Sequence, residues 1–382
     1  MIFYGKQNVN QQDIDAVIDV LKSDFLTQGP AIEKFEKRVA EYCGVKYAVA
    51  VNNATAALHM ACLAAGLKNG DVLWTSPNTF VASANCGRYC GADVDFVDID
   101  NTTYNMSVDT LAEKLAKSKV KPKVVIPVHF SGQSCEMERI YELSKEYGFI
   151  VIEDASHAIG ADYRGVKVGS CQYSDMAVFS FHPVKIITTG EGGMVVTNNE
   201  SLYKKLLLFR SHGITRDEAL LQGESDGPWY YQQLELGFNY RMTDMQAALG
   251  YSQMYRLDEF IARRLCLADR YNQLLQDLPL KQPYQSSDTN SSWHIYVVRL
   301  DLTKVRLSKQ EIFAKMREKE IVLNLHYIPV HTQPYYRQIG FKSGDFPNSE
   351  QYYKEVFTLP LYYGLTDEQQ DEVVKALKEV LK

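Results

Sequence analysis

The sequence has no long uninterrupted apolar run. None of its 382 residues fall in a stretch approaching the ~18–20 apolar residues that a membrane helix needs. That excludes a helical membrane span, and no membrane partner is expected. The opening residues, MIFYGKQNVN, contain no basic segment followed by an apolar core, so no secretory leader is read there. A cytoplasmic protein is the expectation. Excess positive charge is also missing: Lys plus Arg is 41 against 47 Asp plus Glu, a net charge of −6. General nucleic-acid binding leans on phosphate neutralisation, so no nucleic-acid partner is expected. A local pocket for a single phosphate stays open.

Paired cysteine spacing is absent too. The seven cysteines are scattered, and Cys86 and Cys90, four apart, have no second pair. Neither a disulfide framework nor a structural zinc site has that pattern. Free thiols are expected, as in a reducing compartment. His326 and His331 lie five apart across Pro329, which is not ligand spacing on a helix, and no metal is expected. No repeat or low-complexity tract appears.

What is present is an ordinary globular composition, 46% hydrophobic and 23% charged. Such a length buries about three quarters of the unfolded surface, enough for a core without staples. Residues 10–23 have apolar positions Ile14, Val17, Ile18 and Leu21 at helical spacing, with Asn10 and Asp13 placed as a cap. Residues 25–30 break that helix, and a second is expected over 32–42. Short apolar runs at 47–51, 72–76, 94–97, 124–130, 149–153, 176–181 and 193–197 then alternate with helical patterns. This alternation predicts an α/β fold, with a mostly parallel sheet covered on both faces. Beyond residue 242 one long helical pattern runs to 274, strands are expected at 291–300 and 321–324, and a helix at 366–381. Residues 1–250 are read as a large α/β domain and 251–382 as a small α+β one.

Ligands of open α/β sheets bind beyond the carboxyl ends of the strands. Three such ends carry unusual residues. Asn53-Ala54-Thr55 follows the strand ending at Val51 and opens a helix, a position suited to phosphate or to an ordinary cap. Asp154 and His157 follow an apolar strand, where a carboxylate needs a partner. Lys185 follows Phe179-Ser180-Phe181-His182-Pro183-Val184 in apolar surroundings, where desolvation makes a lysine a usable nucleophile. An anion site, a carboxylate and a lysine on one sheet match the three needs of pyridoxal 5′-phosphate: its phosphate, ring nitrogen and aldehyde.

The chain resembles the fold-type I pyridoxal-phosphate aminotransferases that act on nucleotide-linked keto sugars, the DegT/StrS group. The resemblance runs from Tyr4 to the C-terminus and rests on Asn53-Ala-Thr55, Glu153-Asp154-Ala-Ser-His157, Ser180-Phe-His-Pro-Val-Lys185, Thr188-Thr-Gly-Glu191-Gly-Gly193 and Gly237-Phe-Asn239-Tyr-Arg241. It implies that Lys185 forms the Schiff base and carries the proton, and that Asp154 bonds the ring nitrogen. It implies further that Phe80 stacks on the ring, His157 lies near the ring hydroxyl, and Ala54, Thr55 and Ser180 hold the phosphate. Asn239 would reach the phosphate of a second copy, giving a homodimer with shared sites. Some sugar dehydratases of the group carry histidine in place of the lysine, so Lys185 favours transamination. Within the group the chain is most similar to enzymes that aminate C4 of a UDP-linked 4-keto-6-deoxy-N-acetylhexosamine from glutamate. By that resemblance Tyr4, Asp24, Phe25, Leu26, Thr27, Asn324, Leu325, His326 and Tyr327 would contact the UDP-sugar. Amination of another UDP- or dTDP-linked keto sugar is the alternative, and a non-catalytic regulatory module a more distant one.

Overall fold

The computed structural model describes residues 1–381. Strands β1 Tyr47–Val51, β2 Val72–Thr75, β3 Asp93–Phe96, β4 Val124–Ile126 and β5 Ile150–Asp154 are followed by a small hairpin, β6 Asp162–Tyr163 and β7 Val166–Lys167, then β8 Met176–Ser180 and β9 Gly193–Thr197. The hairpin aside, these form one seven-stranded sheet in the order β1-β9-β8-β5-β4-β2-β3. Every pairing from β3 to β8 is parallel, and β9 alone runs antiparallel to its two neighbours. The expected parallel sheet is therefore present, with one reversed strand. A fully buried apolar run such as Gly193–Thr197 signals burial on both faces but carries no direction. The reversal brings the start of β9 to the same edge as the ends of β1, β5 and β8.

Helices cover both faces. They are α1 Gln11–Leu21, α2 Pro30–Cys43, α3 Ala54–Ala64, α4 Ala82–Tyr89, α5 Val108–Lys117, α6 Met137–Tyr147, α7 Glu200–Arg210, α8 Asp244–Met254 and α9 Leu257–Leu274. Strand residues alternate between faces, as the period of two requires. Val49, Val51 and Val178 pack with Leu58, Ala61 and Leu206 of α3 and α7. Ala48, Ala50 and Phe179 pack with Phe35 and Val39 of α2 and Ala247 of α8.

The C-terminal part builds its own core around an antiparallel sheet of Leu280–Lys281, Tyr296–Leu300 and Val356–Leu359. Only the second half of the expected 291–300 strand is regular. Residues 321–324 form no strand. Ile321 bridges Ile2 in parallel and Asn324 bridges Thr358 antiparallel, so pairing changes partner within the segment. Ile2 thereby joins the C-terminal core, from the far end of the chain. Tyrosine is abundant partly because it fills this interior and the neighbouring cluster around Phe130. The hydroxyls of the buried Tyr271, Tyr296 and Tyr352 donate to Pro360 O, Asn272 Oδ1 and His326 O, at 2.9, 2.6 and 2.9 Å. A buried Tyr with a satisfied hydroxyl contributes its ring at little polar cost.

The single helix expected over 242–274 is two helices. At Tyr255 and Arg256 the backbone tightens to bonds with Ser252 O and Gln253 O, one residue closer than in an α-helix. The cause is not local. Arg256 reaches the fully buried Asp13 of α1 at 2.5 Å, and Ser252 and Gln253 donate to the same carboxylate at 2.6 and 2.7 Å. Asp13 also closes the expected capping box with Asn10. Removing one partner of a buried pair strands the other. Asp13→Ala is expected to lower unfolding free energy by about 3–5 kcal/mol, read from the urea midpoint, whereas the exposed Asp15→Ala changes it by less than about 0.5 kcal/mol.

Candidate active site

The carboxyl-end edge of the sheet opens into a cavity of about 1010 Å³. That is the upper end of small-molecule sites, room for more than a single small ligand. Three elements bring the chemistry to it.

At the end of β1, Asn53 caps α3 by accepting from Ala56 N at 2.8 Å. The cap serves one first-turn donor and leaves those of Ala54 and Thr55 to whatever lies in front, as helix starts do. Ala54 and Thr55 line the cavity. The start of β9 runs directly beneath: a Cβ on Gly193 would sit 2.6 Å from Ala54 N and Asn53 O. Glycine is required there by close approach, not by its φ.

Adjacent β5 residues face opposite ways. Glu153 points away from the cavity and accepts from His129 Nε2 at 2.7 Å and Ser174 Oγ at 2.5 Å. Asp154 faces the cavity, accepting from Ser83 Oγ at 2.6 Å and from Ser156 N at 3.1 Å. A carboxylate has about four lone-pair sites, so capacity remains for a ligand donor.

Beyond β8, the loop to β9 is tied back on itself. Phe181 N donates to Gly192 O, while Thr188 Oγ1 and Thr189 N donate to Phe181 O. Lys185 sits at its tip, half-buried, with its side chain in the cavity wall. Burial pulls its amine down to about 8, and nearby Asp154 opposes only part of that shift. Three imidazoles surround it: His157, His294 and His326. Burial, then the positive Lys185, holds His326 down to about 3. His157 and His294 are likewise held well below the ordinary range, mainly by burial. All three are neutral at physiological pH. Ser131 N donates to His157 Nδ1 at 3.3 Å, which leaves the proton on Nε2 to donate to Tyr327 Oη at 3.0 Å. The Tyr327 hydroxyl, its pKa raised by burial, is then free to donate into the cavity.

Of the residues singled out from sequence, Lys185, Ala54, Thr55, Phe80, Asp154, His157 and Ser180 meet in this cavity, with Tyr4, Asn324, Leu325, His326 and Tyr327. Asp24, Phe25, Leu26, Thr27 and Asn239 do not; all five are exposed on the outer surface. The turn bearing Thr27 is nonetheless fixed, because Asp244 accepts from Gly29 N and Ala31 N at 2.7 and 2.9 Å. Sequence reasoning missed Ser83, which anchors Asp154, and His294, whose ring lies 4.3 Å from that of His157. A histidine inside the apolar stretch Trp293-His294-Ile295-Tyr296 was the available signal for the second. Ser83 had none.

The residues present fit pyridoxal phosphate: helix N–H donors for a dianion, a buried carboxylate with spare capacity for a ring nitrogen, and an amine with a lowered pKa for an aldehyde.

The architecture is that of the fold-type I aminotransferases. The model of the DegT/DnrJ/EryC1/StrS aminotransferase family matches residues 7–378, and the chain belongs to that family. The UDP-4-amino-4,6-dideoxy-N-acetyl-beta-L-altrosamine transaminase of Campylobacter jejuni strain 81-176 is 38% identical over 363 residues, covering 95% of this chain and 93% of that one. The Bacillus subtilis spore coat polysaccharide biosynthesis protein SpsC is 38% identical over 382 residues, covering 99% and 97%. Among solved structures, Helicobacter pylori PseC, an aminotransferase involved in the biosynthesis of pseudoaminic acid, superposes with a TM-score of 0.90 at 29% identity over 100% of this chain and 99% of that one. Spr1654 of Streptococcus pneumoniae, in its PMP-form, gives 0.90 at 28% identity over 99% and 98%.

Gly193→Ala forces a Cβ into the start of α3. Overpacking of this kind costs about 1–3 kcal/mol. The expected outcome is roughly 5- to 150-fold weaker retention of pyridoxal phosphate, measured by equilibrium dialysis of the purified protein. Unchanged retention would show that the first turn of α3 does not hold the phosphate.

Proposed function

We propose that the chain transfers the amino group of L-glutamate to C4 of UDP-2-acetamido-2,6-dideoxy-β-L-arabino-hex-4-ulose, with pyridoxal 5′-phosphate as carrier. The products are UDP-4-amino-4,6-dideoxy-N-acetyl-β-L-altrosamine and 2-oxoglutarate, a step of pseudaminic acid biosynthesis. The observation that carries transamination is the Lys185 amine, its pKa lowered, in one cavity with Asp154 and the start of α3. The choice of sugar rests on the Campylobacter relative, alike over nearly its whole length.

When bound, the cofactor supplies an electron sink next to the carbon that loses its proton. Everything else comes from the chain. The free N–H groups at the start of α3, with the Thr55 and Ser180 hydroxyls, bind the phosphate. Asp154 keeps a negative charge against the ring nitrogen and so holds it protonated. Phe80, 58% exposed beside the cavity, offers a flat face for the ring. Lys185 Nζ takes the proton from Cα of glutamate in the first half and delivers one to C4 of the sugar in the second. An amine near pH 8 can do both, because each protonation state is populated. The neutral histidines add no charge that would compete with Lys185 for Asp154. Tyr4, Asn324, Leu325, His326 and Tyr327 form the wall that faces the sugar nucleotide.

Asn239 and residues 24–27, exposed and outside the cavity, act across a homodimer, each copy completing the other's site. No helix among the described residues is long and apolar enough to cross a membrane. A cytoplasmic enzyme fits the reading, since nucleotide sugars and glutamate are cytoplasmic metabolites.

A second reading keeps the chemistry and changes the sugar to another UDP- or dTDP-linked keto sugar. It is favoured by SpsC, which is equally identical and is named for spore coat polysaccharide biosynthesis. Incubation with the UDP-4-keto sugar and ¹⁵N-glutamate separates the two. Nitrogen-15 at C4 with the altro configuration, seen by NMR, supports the first; turnover confined to another keto sugar supports the second. Lys185→Ala is expected to abolish turnover and the yellow absorbance of bound cofactor. Asp154→Ala is expected to weaken cofactor retention and slow proton removal. Wild-type turnover in Lys185→Ala would overturn the assignment.

A further inference from the structure

Three of the seven free cysteines gather behind the cavity. Cys62 lies on α3, one turn beyond His59. Cys86 and Cys90 lie four apart at the end of α4, hence on one face of it. The two helices pack against each other. Cys62 Sγ is 3.6 Å from Cys86 Sγ, and both are fully buried. Cys90 is half-buried, the one thiol of the three that solvent reaches. It faces both Cys62 and His59, and the His59 ring is held by Tyr240 Oη, 3.1 Å from Nδ1. The hydrogen bond from Cys62, then that from His59, lowers the Cys90 thiol below the ordinary cysteine range. Cys62 is raised well above it by its hydrogen bonds to Cys86 and then Cys90, and by burial. An accessible, acidified thiol beside an inaccessible one is the arrangement of a reactive cysteine and its resolving partner.

The cluster also touches the active site. Cys86 Sγ donates to Ser83 O at 3.3 Å, and Ser83 Oγ is the donor to Asp154 Oδ2 at 2.6 Å. The other helix, α3, begins at Ala54 and Thr55.

We propose that Cys90 and Cys62 form a peroxide-sensitive thiol pair whose closure into a disulfide loosens the cofactor site. In the first step the Cys90 thiolate attacks hydrogen peroxide. A sulfur–oxygen bond forms, the oxygen–oxygen bond breaks and water leaves. In the second, Cys62 sulfur attacks Cys90 sulfur. The sulfur–sulfur bond forms, the sulfur–oxygen bond breaks, and hydroxide leaves with the Cys62 proton as a second water. The two thiols lose two electrons and the peroxide gains them. The S–S bond is about 2.05 Å long, so closure draws the C-terminal ends of α3 and α4 together, and α4 carries the displacement back through Cys86 to Ser83. The effect on activity rests on the transaminase reading; the disulfide does not.

The test uses the full-length holoenzyme. It is treated with hydrogen peroxide, alkylated, and mapped by mass spectrometry. The expected result is a chain two hydrogens lighter with a Cys62–Cys90 cross-link, reversed by dithiothreitol. Cys90 is alkylated about tenfold faster than the exposed Cys266 near neutral pH. Cys62→Ala blocks the cross-link and leaves Cys90 to over-oxidise, whereas Cys266→Ser behaves as wild type. Pyridoxal phosphate retention falls on oxidation and recovers on reduction in wild type, with no recovery in Cys62→Ala. If wild-type Cys62 and Cys90 both stay alkylatable after peroxide, or Cys90 reacts no faster than Cys266, the pair does not exist. A cross-link that forms with retention unchanged would overturn the coupling to the site while leaving the transaminase reading intact.

Discussion

An amine held out of water opposite a single carboxylate is the condition on which the site depends. Desolvation alone lowers a lysine; a close carboxylate restores it. Here burial wins, and Lys185 comes to rest near 8 with Asp154 recovering only part of the shift. Three nearby imidazoles would upset that balance if they ionised. They cannot, because the same burial and the same lysine hold them neutral. Asp154 in turn keeps its orientation through Ser83 and Ser156, not through a second cation.

The fold supplies this geometry by bringing four chain segments to one edge of one sheet. The ends of β1, β5 and β8 deliver the helix start, the carboxylate and the lysine. The reversed strand β9 closes the lysine loop and passes under α3 so tightly that only glycine fits at 193. Behind the edge, α9 ties the two cores together. Leu257 and Phe260 pack beneath the sheet, while Leu267 and Tyr271 pack in the C-terminal core. From the same helix, Arg264 donates to the carbonyls of Trp293, His294 and Leu361, at 3.2, 2.9 and 3.0 Å. That fixes the backbone of a cavity histidine from behind. Tyr352 does the same for His326 through its carbonyl.

Much of this was legible in the sequence, for definite reasons. Apolar runs buried on both faces announce a covered sheet, so the α/β class and the strand ends bearing Asp154 and Lys185 could be read residue by residue. Direction could not, because β9 looks the same read either way. The break between α8 and α9 was invisible for another reason: what draws Arg256 there is a carboxylate more than two hundred residues away in sequence. The cavity-lining segment Asn324 to Tyr327 came from resemblance, with no periodic signal of its own. Ser83 was missed because a serine on a helix face is ordinary until the fold sets a carboxylate against it. Asn239 and residues 24–27 were named by resemblance, but the structure leaves them exposed and outside the cavity they were expected to serve.

The site turns on the state of Lys185, and the most direct measurement of that state is the rate at which cofactor-free protein captures pyridoxal 5′-phosphate as a function of pH. Only the unprotonated amine attacks an aldehyde, so the rate rises as Lys185 loses its proton. Capture followed by absorbance is predicted to climb as pH passes through about 8 and to level off above it. A rise centred near ~10.4, the value of a solvated lysine, would contradict the account.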